Sequence, residues 1–358
     1  MRLHLRWRGE QENTTGDQVS ARRQTTPLSA GTAALNLGLL LLLLGLSLMS
    51  LRFGAAPLSL SEVVAGLFGN GPDTHQLIVQ QIRLPRVLLA WLVGLALGVS
   101  GAALQGLLRN PLAEPGLLGI SSSAGLGAVL TLYFGLSALN AWALPAAAML
   151  FALIATLFLY ALARAGSSNL TLILAGVAVS ALASALTSLA LNLAPNPYDV
   201  QDIVLWLLGS ISDRSFADVQ LILPFVLIGV LLLLASAPAL EVLALGEAEA
   251  TSLGVNLPRL RVLIILGTAL SVGACVAVTG AIGFVGLVVP HMLRRFVRYR
   301  PGQLLLPSAL GGAILVLVAD IALRLIGTPK ELQLGVVTAL VGAPFFLALV
   351  LRSRRDML

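Results

Sequence analysis

The sequence predicts an all-α polytopic membrane protein with about ten transmembrane helices. Three observations carry that expectation. The 358-residue chain is 58% hydrophobic and only 11% charged, where a soluble domain carries about 25% charged residues. Its mean hydropathy is +0.95. Apolar runs of about 18 residues or more recur along it, long enough to cross roughly 30 Å of hydrocarbon. The runs do not alternate as the strands of a membrane barrel would.

The elements follow in order. Residues 1–32 form a basic tail with Arg2, Arg6, Arg8, Arg22 and Arg23, expected to be disordered and cytoplasmic. The Leu-rich run from Ala33 to Leu51 is longer and set further in than a signal-peptide core, so it reads as a first span. Further spans are expected near 87–107, 115–134, 142–163, 169–193, 219–236, 260–279, 281–293 with its neighbours, 304–326 and 334–351. The piece at 281–293 is short and glycine-rich. A membrane domain thus covers 33–352, and 353–358 form a second cytoplasmic tail.

Charge placement tests this order. With the N-terminus inside, cytoplasmic segments hold 16 basic residues and the opposite side holds 6: Arg52, Arg83, Arg86, Arg214, Arg324 and Lys330. That asymmetry over short loops supports an even number of spans with both termini cytoplasmic. It also accounts for the net charge of +6 and the pI of 10.4 without a nucleic-acid partner. Among the outer exceptions, Arg83, Arg86 and Arg324 read either as side chains reaching lipid headgroups or as docking charges. Asp320 lies one turn before Arg324, so an i,i+4 ion pair is expected to make that acid tolerable inside a span.

Catalytic signals are sparse. No G-x-x-x-x-G-K-[ST] loop occurs, so ATP is not held here in the P-loop manner. His4, His75 and His291 are far apart, Cys275 is the single cysteine, and no metal site or intrachain disulfide is expected. Asp320 is the one acid placed where a proton- or sodium-driven carrier would need it. Energy for any transport is therefore expected from a separate subunit, with no cofactor and no catalytic residue on this chain.

Three stretches carry information beyond the span count. "LGEAEATSLGVNLPRLR" (245–261) falls between spans on the cytoplasmic side. Glu247 and Glu249 in a first turn and Gly254 as a stop suit a short helix. It either docks into a soluble protein or only joins two spans. "RNPLAEPGLLG" (109–119) has two prolines and two glycines. Its non-helical backbone has to be buried in protein or face water, as a re-entrant turn would. "GLALGVSGAALQG" (94–106) and "AGVAVSALASALTS" (175–188) repeat small residues at helical spacing, which lets helix backbones approach closely.

Longer motifs then show a resemblance. "RLPRVLLAWLVGLALGVSGAALQGLLRNPLAEPGLLGISSSAG", "LGEAEATSLGV", "VTGAIGFVGLVVPHMLR" and "ELQLGVVTALVGAPFFLALVLR" resemble, in order, segments of FecCD-type permeases. These are membrane subunits of ABC importers for ferric siderophores, haem and cobalamin. The resemblance implies the type II ABC importer permease architecture in a bacterial inner membrane. It also implies a second permease subunit, expected as a homodimer, a cytoplasmic ATPase dimer that uses the ATP, and an extracytoplasmic binding protein.

Residue by residue, it implies that Arg83, Arg86 and Arg324 dock the binding protein. Gly246, Glu247, Ala250, Leu253 and Gly254 would form an ATPase-coupling helix near 241–256. Ser167 and Ser168 would stand at a cytoplasmic gate, and Asn192, Asn196 and Trp206 are candidates for the path or its mouth. Cargo stays open between ferric siderophores, cobalamin and haem. A proton-coupled secondary transporter or a non-transporting scaffold are the rivals from other classes.

Overall fold

The computed structural model describes residues 30–54, 56–140, 142–164, 168–194, 196–326 and 332–355. The five tail arginines, Ser167 and Lys330 lie outside the described residues. Within them the chain is helical, and ten helices match the ten expected spans. We label them α1 (Ala30–Arg52), α2 (Leu84–Leu108), α3 (Ile120–Tyr133), α4 (Ala143–Arg164), α5 (Asn169–Asn192), α6 (Phe216–Ala235), α7 (Leu257–Thr279), α8 (Val285–Leu293), α9 (Pro301–Ile326) and α10 (Leu334–Arg355). Seven are long and apolar enough to cross a membrane, counting α2 with the helical turns that precede it. The apolar parts of α3 (Ile120–Tyr133) and α10 (Leu334–Leu349) are shorter, and α8, with nine residues, rises only about 14 Å, so the span expected near 281–293 is helical over only part of that depth. Short connecting helices such as Leu60–Leu67, Pro197–Leu207 and Glu247–Ser252 lie between them.

Two helices form the centre. The apolar windows of α2 and α7 are 83% and 78% buried, against 17% for α5. Lipid is as apolar as leucine, so spans associate through close packing and hydrogen bonds rather than through expulsion of water. The glycine stripe of α2 shows how. A methyl group on Gly98 would stand 2.0 Å from the Ser308 carbonyl oxygen of α9, and one on Gly101 would stand 1.9 Å from the Gly286 carbonyl oxygen of α8. Side chains add ties: Ser100 Oγ lies 3.3 Å from Ser271 Oγ of α7, and Gln105 Nε2 donates to Gly286 O at 3.2 Å.

The chain enters α2 through a π-helical stretch, Leu77–Arg83. Pro85 removes an amide donor from the first turn of α2, and the wider turn before it absorbs the loss. At the other end of α2, Arg109 adopts a left-handed conformation with φ 49° and stops the helix. The stretch expected to be non-helical is so from 110 to 114, followed by a single 3-10 turn, Pro115–Leu118, before α3. Ala113, Pro115 and Leu118 are buried and Gly116 is exposed, so this backbone packs within protein as a spanning depth requires.

Candidate functional site

Candidate residues gather at the two ends of the bundle. At the end where α1 stops and α2 starts, Arg86 and Arg324 meet Asp320, and Arg83 joins Arg324 at the last turn of α1. Arg83 Nη1 donates to the Leu51 and Arg52 carbonyls at 2.7 and 2.9 Å, and its Nη2 donates to Ala56 O. Arg324 Nη1 donates to the Ser50 and Phe53 carbonyls, both at 2.8 Å, and its Nη2 to Ser50 Oγ. Both guanidiniums therefore cap the C-terminal end of α1, where unpaired carbonyls and the helix dipole favour a cation. Arg86 Nε meets Asp320 Oδ1 at 2.8 Å, and Arg324 Nη2 meets Asp320 Oδ2 at 2.8 Å. The ion pair expected within α9 is present, and a second arginine from α2 joins it. Asp320 is 1% exposed and Arg83 5%, so these side chains turn inward.

At the opposite, basic end stands the 245–261 segment. Within it the chain forms one short helix, Glu247–Ser252, before α7 begins at Leu257; the single helix expected near 241–256 is interrupted, since a separate short helix, Ala237–Leu243, ends just before it. Gly246 separates them with φ 136°, a conformation that side chains rarely adopt. Glu247 and Glu249 occupy the first turn of the second helix, and Gly254 follows it with φ 86°. Ala250 is fully buried and seats the helix on the bundle, while Leu245 and Leu253 are each 65% exposed. The result is a small acidic knob with two apolar side chains presented outward.

The knob is tied to its surroundings by polar side chains. Arg261 Nη2 lies 3.3 Å from Glu247 Oε1. Asn169 Nδ2 donates to the same oxygen at 2.8 Å, and Arg261 Nε donates to Asn169 Oδ1 at 2.9 Å. Nearby, Glu241 Oε2 accepts from Arg300 Nε at 3.0 Å. Neither Asn169 nor Arg261 stood out in the sequence. Arg261 counted only as one more basic residue, although its place inside an apolar run was a usable signal. Asn169 is a single amide at the start of a span, and nothing local marks it.

Of the gate pair, Ser168 is the N-cap of α5, with its side chain accepting from Thr171 N at 3.2 Å; Ser167 lies outside the described residues. Asn192 is exposed at the far end of α5. Asn196 caps Pro197–Leu207 by accepting from Tyr198 N at 3.0 Å. Trp206 is partly buried, and its Nε1 has no hydrogen-bond partner among the described residues. The structure thus leaves the gate and path candidates dispersed over α5 and Pro197–Leu207, whereas it draws the arginines and the knob residues into two compact clusters.

A bundle of apolar helices, seven of them long enough to cross a membrane, with an acidic knob at one end has the build of a membrane transport subunit. The chain belongs to the FecCD transport family, which it matches over residues 40–352. It is 43% identical over 295 residues to an ABC transporter permease protein, YvrB, of Bacillus subtilis, covering 81% of this chain and 83% of that one. It is likewise 43% identical over 281 residues to the vitamin B12 import system permease protein BtuC of Salmonella typhi, covering 78% and 85%. A solved structure described as an inward-facing conformation of an ABC transporter, assigned to the metal-chelate type, superimposes with a TM-score of 0.80. It shares 33% identity and covers 89% of this chain and 99% of its own.

Proposed function

We propose that this protein is the permease subunit of an ATP-driven importer for ferric siderophores or chemically similar metal chelates, working by alternating access. One observation carries the reading: the knob at 246–254. A buried Ala250 fixes it to the bundle, and Leu245 and Leu253 stand exposed beside two carboxylates. An anchored helix with apolar tips is what a groove on a soluble motor can grip. Gly246, Glu247, Ala250, Leu253 and Gly254 are its working parts.

Five further assignments fit this reading. A cytoplasmic ATPase dimer holds the knob and uses the ATP. A second copy of the chain covers α5 and α10, whose large apolar side chains Leu174, Leu182, Leu340 and Val341 face away from the bundle. An extracytoplasmic binding protein docks at the Arg83, Arg86 and Arg324 end. Those guanidiniums are already engaged by the chain, so they act mainly through their field: Asp320 pairs with Arg86 and Arg324, while Arg83 is held by backbone carbonyls. Both termini are cytoplasmic in a bacterial inner membrane, as the charge asymmetry supports. Ser167 and Ser168 stand at the inner gate, with Asn192, Asn196 and Trp206 toward the outer mouth.

Cobalamin is the second reading for cargo, favoured by the identity to the vitamin B12 permease. Haem has no comparable support.

The test is reconstitution. The chain is placed in liposomes with its partner ATPase and binding protein, and uptake of ferrichrome and of cyanocobalamin is measured with and without ATP. Uptake of either that needs both ATP and the ATPase supports the importer reading, and the one taken up decides the cargo. Uphill uptake by the chain alone, driven by a proton gradient, would refute it in favour of a secondary carrier.

A further inference from the structure

We propose that Asn169 is a positioning residue that makes the knob at 247–252 and the start of α5 move as one body. The proposal rests on the importer reading above and names the link through which the motor's movement reaches the gate helix.

Asn169 is the first residue of α5. Its amide closes a ring of three side chains from three elements. Nδ2 donates to Glu247 Oε1 at 2.8 Å and Oδ1 accepts from Arg261 Nε at 2.9 Å, while Arg261 Nη2 reaches Glu247 at 3.3 Å. A fourth element joins through the Leu107 carbonyl of α2, 3.3 Å from Nδ2. An amide is suited to this place because one group donates to a carboxylate while its other end accepts from a guanidinium. An aspartate there would only accept and would face Glu247 with a like charge.

Elsewhere α5 packs on α3, on the Pro115–Leu118 turn and on α4. Its backbone comes close to the Pro115–Leu118 turn at Gly176, where a methyl group would stand 2.2 Å from the Leu117 carbonyl oxygen. Asn169 lies about 10 Å along the helix from that point. The geometry is that of a lever, pinned at Gly176 and held at its tip by Asn169. Beside the tip lies a cavity of about 660 Å³ lined by Ser168, Glu247, Thr251, Gly254, Pro258 and Arg261. The tip can therefore swing without forcing through close-packed atoms. Glu247 is 44% exposed, and an ion pair so placed contributes little to stability. The ring's directional bonds serve transmission instead.

The experiment uses the complete complex with its ATPase in lipid nanodiscs. A spin label is placed on Leu170→Cys, an exposed position beside the ring, in both permease copies; the native Cys275 is buried and takes no label. Label-to-label distances are compared without nucleotide and with ATP and vanadate, alongside the rate of ATP hydrolysis. We expect Asn169→Ala to keep the ATPase bound and hydrolysing within about twofold, yet to cut the population shifted by nucleotide at least about fivefold. Asn169→Asp should do the same. The double variant Asn169→Asp with Glu247→Gln inverts donor and acceptor across the ring and should restore the shift; it decides the matter if Asn169→Ala does not fold.

An unchanged shift in Asn169→Ala overturns the proposal. So does loss of ATPase binding, which would make the residue part of the docking surface. A wild-type complex whose labels ignore nucleotide overturns the importer reading itself, and this proposal with it.

Discussion

Replacing Asp320 by asparagine separates the two transport mechanisms through its effect on folding. Asp320 is buried between Arg86 and Arg324, each 2.8 Å from one of its oxygens, with those side chains 15% and 9% exposed. Removing one partner of a buried ion pair costs about 3–5 kcal/mol, because the remaining charge stays desolvated. Here two cations lose their counter-charge, but Arg324 keeps the Ser50 and Phe53 carbonyls and asparagine can still accept one bond. We therefore expect about 3 kcal/mol, at the lower end of that range.

The chain supplies its own reporter. Cys275 is buried in α7 and is the one cysteine in the sequence, so a fluorogenic thiol dye reads unfolding directly. The midpoint for Asp320→Asn should fall by about 5 °C. Double replacement of Asp320 with Asn and Arg86 with Gln should recover part of the loss. An Asp320→Asn protein that melts with the wild type, yet no longer transports, would refute the structural role and point to proton coupling.

Two other outcomes are expected. Gly98→Ala places a methyl group 2.0 Å from the Ser308 carbonyl oxygen, and backbone on both sides cannot yield, so the cost should reach or exceed about 3 kcal/mol. The same thiol assay checks it, and a wild-type midpoint would show that α2 and α9 are further apart. Glu62 caps Leu60–Leu67: its carboxylate accepts from Ser59 Oγ and Ser59 N, both at 2.7 Å, and these bonds, the side-chain one first, hold its pKa below the usual 4.5. A lowered pKa means the stabilisation is complete above the ordinary value and fades as pH falls through the folded one. Hydrogen exchange of residues 59–67, corrected for intrinsic rate, should lose protection in that acid window, and Glu62→Gln should remove the pH dependence.

The spans were legible because their signal is local. An apolar run of sufficient length is a property of consecutive residues, and arginine bias is a property of the loops between them. The knob was legible for the same reason: Gly246, two glutamates and Gly254 lie within nine positions. Even the pairing of Asp320 with Arg324 follows from helical spacing alone.

What the arginines do with their charge was not legible. From sequence, Arg83 and Arg324 are outward-pointing candidates at helix ends. Only the arrival of the last turn of α1, more than 30 positions before Arg83 and some 270 before Arg324, gives them carbonyls to cap. Asn169 and Arg261 likewise sit 92 positions apart and acquire meaning only when the knob lies between them. Chain composition thus determined a membrane bundle, the order of its apolar helices and the place of its polar knob. Tertiary structure decided which polar groups meet, because in a bundle of spans a charge finds its partner across helices rather than along them.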